Sequence, residues 1–135
     1  MGSKRPASVA RAFEDEVRQR FGFLVDQEGF LGPEVRPGGF AYHAPNCTVS
    51  VLLDERHRQA LTYVGGEVDG YTASARLSCL YATAGLGPAQ HVVWSAGTTH
   101  ALVKALDSQV AALRKLLPVL KGEQRTKLLD ECHGS

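Results

Sequence analysis

The sequence predicts an α+β domain, with an antiparallel meander of three to five strands, an N-terminal helix, and two or three C-terminal helices packed on one face of the sheet. Three observations carry that expectation. Apolar residues recur at helical spacing near the start (Val9, Phe13, Val17, Phe21, Leu24), alternate with period two in the middle (Cys47, Val49, Val51, Leu53), and return to helical spacing late (Leu102, Leu106, Val110, Leu113, Leu117). Helix, strands and helices follow one another in blocks, and that order belongs to α+β folds.

The first helix opens near Pro6, a residue suited to a first turn, or Ser8, a residue suited to an N-cap. Glu14 precedes Arg18 by four and Glu16 precedes Arg20 by four, the favourable order for ion pairs on a solvated face. Gly29 is the expected stop. Residues 29–39, with four glycines and two prolines, read as loop. Phe40–His43 supplies a short leading strand, Cys47–Leu53 a second and Gln59–Val64 a third. Gly65-Gly66 marks a bulge or wider turn, and Asp69-Gly70 is a hairpin signal.

Ala75–Ala84 reads as a short buried helix closed by Gly85 and Gly87-Pro88, and His91–Ser95 as a last strand or extended connection. Thr98 or Thr99 caps the longest helix, and Pro118 ends or kinks it, because its ring removes a backbone donor and disfavours helical geometry at Leu117. Glu123–Cys132 forms the final helix. The whole chain of 135 residues is expected to be one domain, with residues 1–7 outside the packed part (Met1–Ser3 reading as a cloning remnant) and 133–135 a frayed tail.

Composition narrows the function classes. The chain is 44% hydrophobic, which excludes a disordered protein, and its net charge of +1 excludes a generic polyanion binder. There is no isoleucine, a single asparagine (Asn46), and twice as much arginine as lysine, the imprint of a high-GC bacterial genome. No signal-peptide core or run of about 18 apolar residues appears. Three widely spaced cysteines, Cys47, Cys79 and Cys132, do not read as a secreted disulfide framework. A cytoplasmic protein with no membrane partner is expected.

No motif supplies catalysis. His43 and Cys47, or Cys132 with His133, give no four-ligand set, so neither a metal nor another cofactor is expected. Cys79 sits beside Leu80 on the apolar side of its helix and reads as a buried, inert thiol. The glycine-rich runs 65–70 and 85–88 lack the spacing and the following helix of a phosphate loop. Nucleic acid is not an expected partner, because Asp54 and Glu55 neutralise the basic cluster Arg56-His57-Arg58. Aromatic and arginine side chains dominate protein interfaces, so Tyr42, Tyr63, Tyr71 and Trp94 on the strands, with Arg56, His57 and Arg58 at a turn, are the candidate partner-binding residues. Each aromatic could instead pack in the core.

Phe21-Gly22-Phe23-Leu24, Gly29-Phe30, the short Tyr42 strand, Val49-Ser50-Val51 running into Asp54-Glu55-Arg56, and Leu113–Leu117 occur in an order that resembles small uncharacterised bacterial single-domain proteins. Some of these serve as immunity proteins that neutralise polymorphic toxins. The resemblance implies a non-enzymatic binding protein that occludes another protein, such as a toxin. The alternative is a small enzyme or ligand-binding domain using a pocket between sheet and helices.

Overall fold

The computed structural model describes residues 4–134, with side chains from Val9 onward. Helix α1 spans Lys4–Phe21 and α2 spans Phe23–Asp26; five strands follow, β1 (Leu31–Arg36), β2 (Gly39–Ala44), β3 (Cys47–Asp54), β4 (Gln59–Val68) and β5 (Tyr71–Arg76). Helices α3 (Leu77–Thr83), α4 (Thr99–Leu120) and α5 (Arg125–Cys132) complete the chain, with a single 3₁₀ turn at Ala89–His91. The strands form one antiparallel sheet in sequence order, as the meander reading requires. All the long helices pack on one face, so the architecture is α+β.

The helical stripe read from the sequence is the core-facing side of α1, where Phe13, Val17 and Phe21 are buried, and it continues to the buried Leu24 of α2, while Glu14 pairs with Arg18 and Glu16 with Arg20 outside. Arg20 also reaches Asp107 at 2.8 Å, tying α1 to α4. In the sheet, Phe40, Tyr42, Val49, Val51, Ala60, Val64, Val68, Ala73 and Ala75 point into the same core. Phe13 meets Phe40 at 5.8 Å between ring centroids, and Phe21 stacks near Tyr42 at 6.4 Å. Asp69 (φ 47°) and Gly70 (φ 88°) both hold left-handed backbone, the conformation a two-residue hairpin turn requires.

Several boundaries differ from the sequence reading. Residues 4–7 belong to α1 and are not a tail, while Met1–Ser3 lie outside the described residues. The expected loop over 29–39 contains β1, whose glycine and proline, with Pro37 just after it, hide a real strand: the ladder skips a residue between Leu31 and Glu34, where Gly32-Pro33 forms a cis peptide. Gly65 and Gly66 form no bulge but pair regularly with Ser74 and Ala73. A side chain at 66 would collide with the Arg125 guanidinium, so the glycine makes room for α5. Ala75 and Arg76 end β5 instead of opening α3. Pro118 does not end its helix at Leu117; α4 runs on to Leu120, since a proline in the last turn forfeits a single bond. Thr98 is the cap, accepting from the Ala101 N–H at 3.0 Å.

Both sheet edges are partly blocked against pairing. Gly38 accepts from Leu53, so alternate β2 residues Gly39 and Ala41 turn their backbone groups toward β1. The backbone groups of their partners Arg36 and Glu34 point toward β2, which leaves the backbone of Val35 pointing away from the sheet between two prolines, Pro33 and Pro37, that have no N–H to offer. At the other edge, the expected frayed tail is docked: the Ser74 N–H donates to His133 Nδ1 at 3.1 Å and its carbonyl accepts from Gly134 at 3.2 Å. Ser135 lies outside the described residues.

The largest departure concerns the cysteines. Cys79 and Cys132 form a disulfide between α3 and α5, with Cα atoms 5.9 Å apart. The reading of Cys79 as a free buried thiol is therefore wrong. Sequence spacing hid the pair because the two residues are 53 positions apart and meet only through the packing of two short helices.

Candidate functional site

With every long helix on one side, the opposite face of the sheet has no helix over it. Its residues follow from the register: Glu34 and Arg36 on β1; Ala41 and His43 on β2; Thr48, Ser50 and Leu52 on β3; Leu61, Tyr63, Gly65 and Glu67 on β4; Thr72, Ser74 and Arg76 on β5. Leu52 lies opposite Leu61, and Tyr63 lies between Ser50 and Arg76. Beyond Tyr63, β5 has already turned into α3. Residues 94–96 return to fill the vacated edge, where the Ala60 N–H donates to the Trp94 carbonyl at 2.9 Å and Ser95 bridges Gln59.

Two concavities mark this face. A cleft of about 200 Å³ opens where β5 gives way to α3, walled by Leu61, Leu77, Val92 and Trp94, with Arg76 on its rim and Thr62 and Gln109 at its floor. A shallower trough of about 370 Å³ crosses the strands at Gly65, lined by the hydroxyls of Thr48, Ser50, Thr72 and Ser74, with Arg36 and Glu67 at its margins. Gly65, which carries no side chain, leaves the face concave there.

The structure separates the sequence candidates. Tyr63 is half-buried on the open face, and Trp94 stands 50% exposed at its edge. Arg56, His57 and Arg58 are exposed on the β3–β4 turn next to them; the Arg58 carbonyl accepts from Ala96, which draws the 94–96 segment alongside. Tyr42 is corrected: it is fully buried under α1 and unavailable to a partner. Tyr71 lies at the far end of the sheet, its hydroxyl donating to Asp130 of α5. That bond holds the phenol in its neutral form and pushes its pKa up. Sequence reasoning missed Arg76, Gln109, Thr62 and the two leucines of the open face. Arg76 falls inside the expected helix, and Leu61 carries no clear period-two signal, because the run Gln59–Val64 puts Ala60 and Val64 on one face and Leu61 and Tyr63 on the other.

The titratable groups on this side are ordinary surface pairs. His43 Nε2 donates to Glu34 at 2.7 Å and Arg36 Nε donates to the same oxygen at 2.9 Å. Those donors, the His43 bond foremost, hold Glu34 below the usual carboxylate range. The Thr48 hydroxyl lies 3.4 Å from His43 Nδ1, completing a hydroxyl, imidazole and carboxylate in a row. The row is not a catalytic one. His43 and Glu34 side chains are 38% and 52% exposed, Glu34 is shared with Arg36, and Thr48 is mid-strand with its backbone paired on both sides, leaving no donors for an oxyanion. On the turn, His57 donates to Asp54 at 2.8 Å and lowers its pKa. The disulfide removes Cys79 as a nucleophile, and burial pushes the Cys47 thiol up, away from reactive thiolate. Among the described residues no cluster of three or more His, Cys, Asp or Glu could hold a metal ion, and no helix is long and apolar enough to cross a membrane.

No family model, no curated protein and no solved structure matches this chain.

Proposed function

We propose that the protein is a non-enzymatic binding protein of the immunity or antitoxin type, occluding a partner protein with the uncovered face of its sheet. One observation carries the reading. A row of large side chains, Leu52, Leu61 and Tyr63, runs across a face that no helix covers and ends at Trp94, the exposed tryptophan of the chain. Open faces of antiparallel sheets are normally polar, and aromatic side chains at the centre of such a surface are what protein partners bury. The Arg36–Glu34 pair on β1, with Glu67 on β4 and Arg76 at the end of β5, gives the surrounding face mixed charge, suited to selecting a partner more than to raising affinity. An interface of about 800 Å² on this side is the usual size for a specific complex. A cytoplasmic site of action belongs to this proposal only with Cys79 and Cys132 as thiols; the bond as formed suits an oxidising compartment.

The test uses the product of a neighbouring toxin-like reading frame as the partner. The immobilised chain should retain that product, and Trp94→Ala or Leu61→Ser should each weaken retention by about tenfold or more while leaving thermal unfolding nearly unchanged. Retention untouched by both substitutions would overturn the sheet-face assignment, and no retention by the parent chain would overturn the partner reading.

A further inference from the structure

We infer that the cleft between Trp94 and Arg76 is a binding site for a small aromatic carboxylate that carries a hydrogen-bond donor at the opposite end of its ring. The inference is independent of the partner-binding proposal, although both use Trp94 and Leu61.

Size sets the first limit. At about 200 Å³ the cleft falls below the range of about 300–1,000 Å³ that holds drug-sized ligands. A single ring with short substituents fills it. Shape sets the second. Leu61, Leu77 and Val92 make apolar walls and the Trp94 indole gives a flat one, a setting for a planar apolar body.

The two ends differ in hydrogen-bonding capacity, and that difference orients the occupant. On the rim, the Arg76 side chain has no ion pair or hydrogen bond among the described residues. A guanidinium in that condition is matched by a planar carboxylate, which it can bind through two parallel bonds. Inorganic phosphate is a poorer fit, since the site offers one cation and mostly apolar walls, and α3, only seven residues long, adds no anion site of its own.

At the floor every proton is already committed. The Gln109 side-chain amide donates to the carbonyls of Ala60 and Val93, both at 2.8 Å. That fixes which way the amide points, and its oxygen takes the Thr62 hydroxyl proton at 2.6 Å. Gln109 and Thr62 are 1% and 3% exposed, and what they leave over is lone pairs. A second carboxylate pushed against this floor would meet only acceptors, because the cleft's other donors, the half-buried Ser78 hydroxyl and the exposed Gln90 amide, belong to α3 and the 3₁₀ turn and not to the floor. A hydroxyl or amino group on the inner end of the ring would be accepted.

The chain has one tryptophan, so its indole N–H gives a single cross-peak that reports directly on this wall. Titration of the ¹⁵N-labelled protein with para-hydroxybenzoate should move that peak saturably. Benzoate, which lacks the inner donor, and para-hydroxybenzyl alcohol, which lacks the carboxylate, should each bind about tenfold or more weakly. Arg76→Gln, at an exposed position, should keep the parent melting temperature and lose a similar factor in affinity for para-hydroxybenzoate. Absence of a saturable shift up to about 10 mM para-hydroxybenzoate would overturn the site. Binding unaffected by Arg76→Gln, or equal for all three compounds, would reduce it to nonspecific contact with Trp94. Equal affinity for benzoate alone would overturn the donor-requiring floor.

Discussion

Thr62 on β4 and Gln109 on α4 are bonded to each other inside the core, the threonine hydroxyl donating to the glutamine side-chain carbonyl at 2.6 Å. Gln109 then returns both amide protons to the backbone, one to Ala60 of β4 and one to Val93 of the segment that fills the sheet edge. One side chain thus joins the longest helix, the sheet and the returning segment that carries Trp94. Replacing Gln109 by leucine keeps the bulk but orphans two carbonyls and a hydroxyl. Each orphaned group costs about 1–3 kcal/mol, so Gln109→Leu should destabilise the domain by at least about 3 kcal/mol in urea unfolding. Thr62→Val in the same background should recover part of that loss, because the hydroxyl without a partner is removed.

The C-terminal helix is held by the Cys79–Cys132 bond, which closes a loop across 53 positions. Chain-entropy reasoning assigns such a loop about 4 kcal/mol, and native-state effects usually lower the realised value to about 2–4 kcal/mol. Reduction, or Cys132→Ala, should lower stability by that amount. Thiol titration of the native protein should find Cys47 alone, reacting slowly because burial raises its pKa; two further thiols should appear only after reduction. Three reactive thiols in the untreated protein would show the bond to be absent.

What was legible in the sequence was whatever rests on local periodicity. The α1 stripe, the alternation through β3, the Asp69-Gly70 turn and the Thr98 cap all depend on neighbours within a few positions. β1 was missed because Gly32, Pro33 and Pro37 carry loop signals while the strand is held by β2 alone. Gln109 was missed because a polar residue flanked by Ser108 and Val110 reads as solvated face; only the third dimension puts backbone carbonyls around it. The candidate site shows the same division. Tyr63 and Trp94 were identified by residue type, yet burial of Tyr42 and the unpaired rim position of Arg76 depend on which helix covers which strand.

Acid should loosen the surface of the sheet in a way the histidine pairs predict. His43 and His57 hold Glu34 and Asp54 below the ordinary carboxylate range. A carboxylate whose folded pKa is depressed contributes stability above its unfolded value, about 4 for these groups, and loses it as pH falls through the folded value. The urea midpoint should therefore fall as pH drops below about 4.5. Both pairs are exposed, so the slope should be shallow and flattened by added salt. His43→Gln with His57→Gln should remove part of it, and a slope unchanged in that double variant would show that other carboxylates carry the acid response.

Tyr42 offers the sharpest test of the core. Its ring is fully buried near Phe21, and its hydroxyl has no hydrogen-bond partner. Desolvation raises its pKa, with Arg18 opposing only partly, so the phenol stays neutral at all ordinary pH. A buried hydroxyl that gives up water without gaining a partner costs about 1–3 kcal/mol. Phenylalanine keeps the ring and its contacts and removes that cost. Tyr42→Phe should leave stability unchanged or raise it by about 1–2 kcal/mol, whereas Tyr42→Ala should cost about 3–5 kcal/mol through the cavity it opens. Partner retention and the Trp94 indole signal should be the same in Tyr42→Phe as in the parent, because the ring lies on the opposite side of the sheet from the open face. A Tyr42→Phe variant destabilised by more than about 1 kcal/mol would show that the hydroxyl has a partner in solution, the natural one being a buried water.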